Sequence, residues 1–296
     1  MVRSPALQGQ ALRNPPGRWY RERGMAFFSP LQVKDFVTLG NILGGIGSMI
    51  ASLEGDVDWA CYLMLIAWVF DSLDGPVARA TGGGNRFGEV FDNVADLVAY
   101  SLAPGSLLYL VYRMPVEAGG AGWPVWAAGL LGAFPIVVGC VRFSRNDVME
   151  LTFPEFHLGL PRTVYALYLG TLFCSHLFRG PWMTDPASAA NALLYGAGAA
   201  FVTAVSSLTL TLRPFHAKPK KPTFMVMFST VWFFATTVLG FIAAAVLAMP
   251  RLVFDVFAVN FTLYTWFGWS IIPPGTRAEI RDYCRRMGER WKVEMG

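Results

Sequence analysis

Long apolar runs separated by short charged stretches constrain this chain more than any other feature. They read as membrane-spanning helices over roughly Phe36–Leu53, Trp59–Ala80, Gly88–Tyr112, Trp123–Val141, Thr163–Phe178, Ala187–Leu212, Phe224–Met249 and Leu252–Ile272. The fifth is the shortest. With 54% hydrophobic and 15% charged residues, the chain is not an ordinary soluble domain. The expected fold class is all-α, a polytopic membrane helical bundle of about eight transmembrane helices.

Charge distribution tests that count independently. An even number of spans puts both termini on one side. Of the 24 Lys and Arg, only Arg113, Arg179 and Arg251 then fall on the other side. By the positive-inside rule, the basic side is cytoplasmic. The net charge of +4 is a membrane-surface feature, since no aromatic-rich basic groove accompanies it, and no nucleic-acid partner is expected. Residues 1–34 lack a compact apolar stretch, so no cleavable signal peptide is expected. That segment, with Trp19, Phe27 and Phe28, reads either as an interfacial stretch or as disordered. The tail after Gly275 reads as an interfacial helix or a solvated tail. The four cysteines and three histidines are scattered, with no disulfide framework or zinc site implied.

Four acids interrupt the apolar pattern. Asp71 and Asp74 lie three residues apart, and Asp92 and Asp96 four apart, in DSLDGPVARATGGGNRFGEVFDNVAD. Carboxylates in lipid-embedded helices are costly and mark functional sites. At those spacings each pair shares one helix face. Two such helices facing each other gather oxygen ligands for hard divalent cations. Gly75, Ala78 and Gly88 are small enough to let a phosphorylated ligand approach the backbone, and Arg79 offers a positive fork for phosphate. On residue type alone, a cation-binding transporter site also fits the acids.

The same run resembles the signature D-x2-D-G-x2-A-R-x8-G-x3-D-x3-D of the CDP-alcohol phosphotransferase family, matched by Asp71, Asp74, Gly75, Ala78, Arg79, Gly88, Asp92 and Asp96. The resemblance implies two-metal catalysis with two Mg2+ or Mn2+ ions. Asp71, Asp74 and Asp92 become metal ligands, and Asp96 the general base with a further ligand role. Gly75, Ala78 and Gly88 make room for cytidine and diphosphate. Arg79 contacts phosphate or partners a motif carboxylate. The implied layout is a cytoplasmic N-terminal segment (1–34), a six-helix core (35–222), two additional helices (223–273) and a cytoplasmic tail (274–296). A homodimer in the inner, cytoplasmic membrane, with the active site on the cytoplasmic side, completes the implied picture.

Around the signature, KDFVTLGNILGG (Lys34 to Gly45), FGEVFDNVADLVAYSLAPG (Phe87 to Gly105) and Gly159-Leu160-Pro161 are similar to the phosphatidylserine synthase branch of that family. The resemblance implies transfer of a phosphatidyl group from CDP-diacylglycerol to L-serine. Arg142 and Arg145 echo a loop of that branch and are the implied contacts of a polar acceptor, such as the serine carboxylate, or of a lipid phosphate, or else positive-inside anchors at the membrane surface. Two departures stand out. Asn146 follows Arg145 directly where the branch has its Asn two positions on, and Asn93 replaces a common Ser. Other acceptors of the family chemistry are glycerol phosphate, inositol phosphate and choline.

Overall fold

A computed structural model describes residues 31–82, 85–119, 122–148, 156–179, 189–211, 214–216, 224–271 and 274–295. The N-terminal segment up to residue 30, with Trp19, Phe27 and Phe28, lies outside the described residues, as does the side chain of Asn146. The helices are α1 (Val33–Leu53), α2 (Val57–Ala80), α3 (Arg86–Leu97), α4 (Ala103–Glu117), α5 (Val125–Val148), α6 (Arg162–Cys174), α7 (Ala189–Leu210), α8 (Phe224–Val246), α9 (Leu252–Ile271) and α10 (Pro274–Met295). Backbone polar groups in hydrocarbon must be satisfied within the segment, which is why the apolar runs fold as helices.

Among the described residues, six helices are long and apolar enough to cross a membrane: α1, α2, the α3–α4 unit, α5, α7 and α8. The chain is an integral membrane helical bundle. In α9 the apolar stretch is the shorter Leu252–Gly268. The fifth expected span is α6, with 13 residues, or about 20 Å at 1.5 Å per residue. Protein surrounds most of it: Tyr165 through Thr171 are all buried. It nevertheless runs from one end of the bundle to the other, with Arg162 beside Asp96 at its start and His176 bonded to Asp255 just past its end.

Local sequence explains the helix boundaries. Asp56 caps α2 by accepting from the Trp59 N–H at 3.0 Å, and Asn85 caps α3 by accepting from the Gly88 N–H at 2.7 Å. Asp35 accepts from the Gln32 N–H at 2.7 Å at the start of α1. Between α3 and α4, Val98–Leu102 forms one widened helical turn, with the Ala103 N–H bonded to the Val98 carbonyl. A three-residue antiparallel ladder, Phe156–Leu158 (β1) with Pro214–His216 (β2), ties the segment before α6 to the one after α7. No strand was expected there.

Small residues set the helix spacing, as is usual where lipid removes the hydrophobic drive between helices. A Cβ on Gly45 would lie 2.8 Å from the Ala99 Cα, and one on Gly44 2.9 Å from the Ala67 Cα. These two contacts bring α1 against both acid-bearing segments. Gly105 and Gly132 make the α4–α5 crossing, where a Cβ on Gly105 would lie 2.5 Å from the Gly132 carbonyl oxygen. The α8–α9 pair docks through α9. Tyr168 and Thr262 share a hydroxyl hydrogen bond of 2.8 Å, while Asn260 donates to Thr236 at 2.9 Å within the pair.

Backbone blocks expansion at these crossings, so Gly45→Val and Gly105→Val are each expected to cost about 1–3 kcal/mol. Gly129→Ala, whose new methyl meets nothing within 4 Å, is expected to leave stability unchanged or slightly raised. Thermal unfolding in detergent, followed by a thiol-independent probe, measures the difference.

Candidate active site

Helices α2 and α3 present their acids to each other at one end of the bundle. Ligand oxygens of Asp71, Asp74 and Asp92 all lie within 4.8 Å of one another, and all three residues are partly buried. The Asp92 Oδ1 is shut from solvent without a hydrogen-bond partner among the described residues. Three carboxylates this close repel strongly in a weakly polarisable interior. Hard oxygen donors with one unsatisfied buried atom fit a hard divalent cation. The expected ligand trio is therefore assembled by the fold.

Asp96 stands beside the trio, one turn beyond Asp92, and is held differently. The Arg162 Nη2 donates to its Oδ2 at 3.1 Å, and the Asn41 Nδ2 donates to its Oδ1 at 3.4 Å. The two side chains of the ion pair are only 10% and 18% exposed. Gly159 explains how Arg162 arrives there. Its φ of +74° turns the chain into α6, where a Cβ would lie 2.5 Å from the Thr209 carbonyl oxygen. Pro161 then precedes the first helical residue, Arg162. The guanidinium also lies 5.4 Å from the Phe143 ring centroid.

On the other flank, the Tyr100 hydroxyl donates to Asp71 at 3.0 Å. Tyr100 belongs to the widened turn after α3 and is fully buried. The extra residue in that turn rotates it back toward α2, so it reaches across to the first motif acid.

The remaining expected residues divide. Gly75 has open space around it apart from Arg79, whose Nη1 would lie 3.4 Å from a Cβ there. Ala78 is partly buried, and Arg79 is exposed near the end of α2. Arg79 forms no ion pair with a motif carboxylate among the described residues. At Gly88 a Cβ would strike the Lys34 Nζ and come within 2.5 Å of the Asp35 Oδ1. Lys34 and Asp35 form a buried ion pair of 3.1 Å against this glycine. Gly88 thus makes room for the start of α1, whatever else it admits.

Arg142 is buried and within electrostatic range of Arg145, Arg162 and Asp96. Arg145 hydrogen-bonds the Leu210 backbone carbonyl at the end of α7. That contact gives Arg145 a structural task beside any role in binding. Asn41, Tyr100 and Arg162 were not expected as site residues. A polar Asn inside the first apolar run was the available signal for Asn41, and in the sequence Arg162 is simply one of the basic residues on the cytoplasmic side.

A family model described as CDP-alcohol phosphatidyltransferase matches residues 31–202, more than half of the chain. The chain belongs to that family. Among curated proteins it is 30% identical over 150 residues to an archaetidylserine synthase of Methanothermobacter thermautotrophicus, covering 50% of this chain and 60% of that one. It is 31% identical over 153 residues to a CDP-diacylglycerol–serine O-phosphatidyltransferase of Mycobacterium leprae, with coverage of 50% and 49%. A protein of the same description from Saccharomyces cerevisiae is 25% identical over 169 residues, with coverage of 52% and 58%. The chain spans about half the length of the curated relatives it matches. Helices α8 and α9 lie outside the matched family region.

Losing one charged ligand weakens a hard-cation site sharply. Asp92→Asn is expected to weaken Mn2+ binding by about tenfold or more. Electron paramagnetic resonance of free Mn2+ titrated with purified protein reads this without any turnover.

Proposed function

We propose that this protein is a CDP-diacylglycerol–serine O-phosphatidyltransferase, which transfers a phosphatidyl group to the hydroxyl of L-serine and releases CMP. The observation that carries the reading is the carboxylate trio Asp71, Asp74 and Asp92 set beside a separately held fourth acid, Asp96. The names of the relatives, which concern serine-derived lipids, support serine as acceptor.

In this mechanism Asp71, Asp74 and Asp92 would hold the divalent cations, Mg2+ or Mn2+ in a two-metal mechanism, with Asp96 as a further ligand. Bound there, the ions neutralise the diphosphate and stabilise the charge that builds on the departing CMP. The open surface at Gly75 and Ala78 receives the cytidine diphosphate, and Arg79 binds a phosphate oxygen. Asp96 takes the proton of the serine hydroxyl as that oxygen bonds to the phosphorus carrying diacylglycerol. The bond from that phosphorus to the bridging diphosphate oxygen breaks, and CMP leaves with the electron pair. Asn41 and Arg162 orient Asp96, while Tyr100 orients Asp71. Arg142 adds positive potential for an anionic substrate group.

The site faces the cytoplasm in this reading, as do both termini. Charge placement supports it. Arg179 and Arg251 both meet Asp58 at the end of the bundle opposite the acids, at 3.5 and 2.8 Å, and Arg113 pairs with Glu117 at 2.6 Å. These are the three basic residues expected outside, and each is matched by an acid.

Purified protein with CDP-diacylglycerol and L-serine is expected to release CMP and form phosphatidylserine. EDTA should silence it, and Mg2+ or Mn2+ should restore it. Asp96→Asn should lower kcat by roughly 10²–10⁴-fold while leaving donor binding in place. Product from another alcohol with none from serine would defeat the acceptor assignment, and CMP release in fully metal-free enzyme would defeat the metal mechanism.

Orientation has its own measurement. With the native cysteines replaced by serine, Gly84→Cys and Arg285→Cys are expected to label only from the cytoplasmic face, and Ala118→Cys only from the opposite one. Labelling of position 84 from outside would move the site across the membrane.

A further inference from the structure

Asp96 is gripped by two side chains that are each only half used. Arg162 spends Nη2 on one carboxylate oxygen, and Asn41 spends Nδ2 on the other. The amide orientation follows from chemistry, because an ionised carboxylate accepts only from the nitrogen end. Each side chain has a second polar atom left over. The Arg162 Nη1 and the Asn41 Oδ1 are both buried without a hydrogen-bond partner among the described residues. The Arg162 side chain is 10% exposed, and Asn41 is completely buried. Buried polar atoms are normally satisfied, and each exception requires a reason.

The two orphans have opposite character. The Arg162 Nη1 is a cationic donor that suits a carboxylate, and the Asn41 Oδ1 is an acceptor that suits an ammonium. Both flank the acid that takes the acceptor's proton. We infer that Arg162 and Asn41 form the acceptor subsite and read a zwitterionic amino alcohol. Its carboxylate binds Arg162, its ammonium donates to the Asn41 carbonyl oxygen, and its hydroxyl lies toward Asp96. The inference rests on the proposed function and names the residues that select serine within it.

Both orphan atoms are shut from water, so the acceptor enters by displacing the Arg162 side chain. A single-armed grip on Asp96 allows that displacement while Asn41 keeps the carboxylate in place. Arg145 is fastened to the Leu210 carbonyl at the end of α7. An acceptor without a carboxylate gains nothing from Arg162, and one without an ammonium leaves the Asn41 carbonyl unpaired. The discrimination follows from those unpaired groups.

The test compares three acceptors by CMP release at saturating CDP-diacylglycerol: L-serine, ethanolamine (no carboxylate) and glycerate (no ammonium). Arg162→Ala is expected to raise the KM for serine roughly 10- to 100-fold while moving that for ethanolamine by less than about twofold. Asn41→Ala is expected to raise the KM for serine and ethanolamine but not for glycerate. The KM for the donor should stay at the wild-type value in both variants. A fall in kcat shared by all acceptors is expected, because Asp96 loses a support. Equal KM changes for serine and ethanolamine in Arg162→Ala, or none, would overturn the assignment. Should Arg162→Ala not fold, Arg162→Lys decides in the same way: a KM rise confined to the carboxylate-bearing acceptors supports it, and an equal rise or none overturns it. If the wild type uses another alcohol and not serine, the proposed function itself falls, before any variant is compared.

Discussion

Packing several carboxylates into the end of an apolar helical bundle is the constraint on which the rest of this structure depends. Asp71, Asp74 and Asp92 stand within 4.8 Å of one another, and no ordinary folding gain comes from bringing like charges together in a poorly screened interior. The fold must therefore force them together, in an arrangement whose repulsion a hard cation would relieve. It does so with rigid parts. Gly44 and Gly45 let α1 lie against α2 and the widened turn at the same level, with a Cβ excluded from either contact. Asn85 starts α3 on its side of the short loop.

Asp96 shows the other solution to the same problem. It is held by a cation and an amide supplied from distant parts of the chain, α6 and α1. The two kinds of compensation separate the roles of the acids. A trio without internal cations suits metals, and in the proposed mechanism the acid positioned by its own arginine is the one that takes the proton. The widened turn at Val98–Leu102 joins the halves by sending Tyr100 back to Asp71.

At the opposite end, charge is used for fastening. Asp58 at the start of α2 receives Arg251 and Arg179, and Asp255 on α9 receives both the backbone N–H and the ring of His176 at 2.7 Å. The Tyr62 hydroxyl donates to the Pro250 carbonyl nearby. These contacts pin the α8–α9 pair to the core at the end away from the acids. The additional helices are thus anchored at that end, and they lie outside the matched family region.

Much of this was legible in the amino-acid order. Long apolar runs determine helices in lipid, because backbone groups there have no other partners, and spacings of three and four place Asp71 with Asp74 and Asp92 with Asp96 whatever the surroundings. The paired acids followed from those local rules, and the class of chemistry from the resemblance of the whole signature to a known family. The short, enclosed nature of α6 was not legible, since hydropathy does not distinguish a helix wrapped in protein from one wrapped in lipid. Nor were the β1–β2 ladder, the seating of Lys34 and Asp35 on Gly88, or the fastening of Arg145 to α7. Asn41, Tyr100 and Arg162 join the site from positions far from Asp96 or across a widened turn. Only the packing of α1 and α6 around α3 decides that they meet, because contacts between distant segments depend on helix crossings that no local pattern encodes.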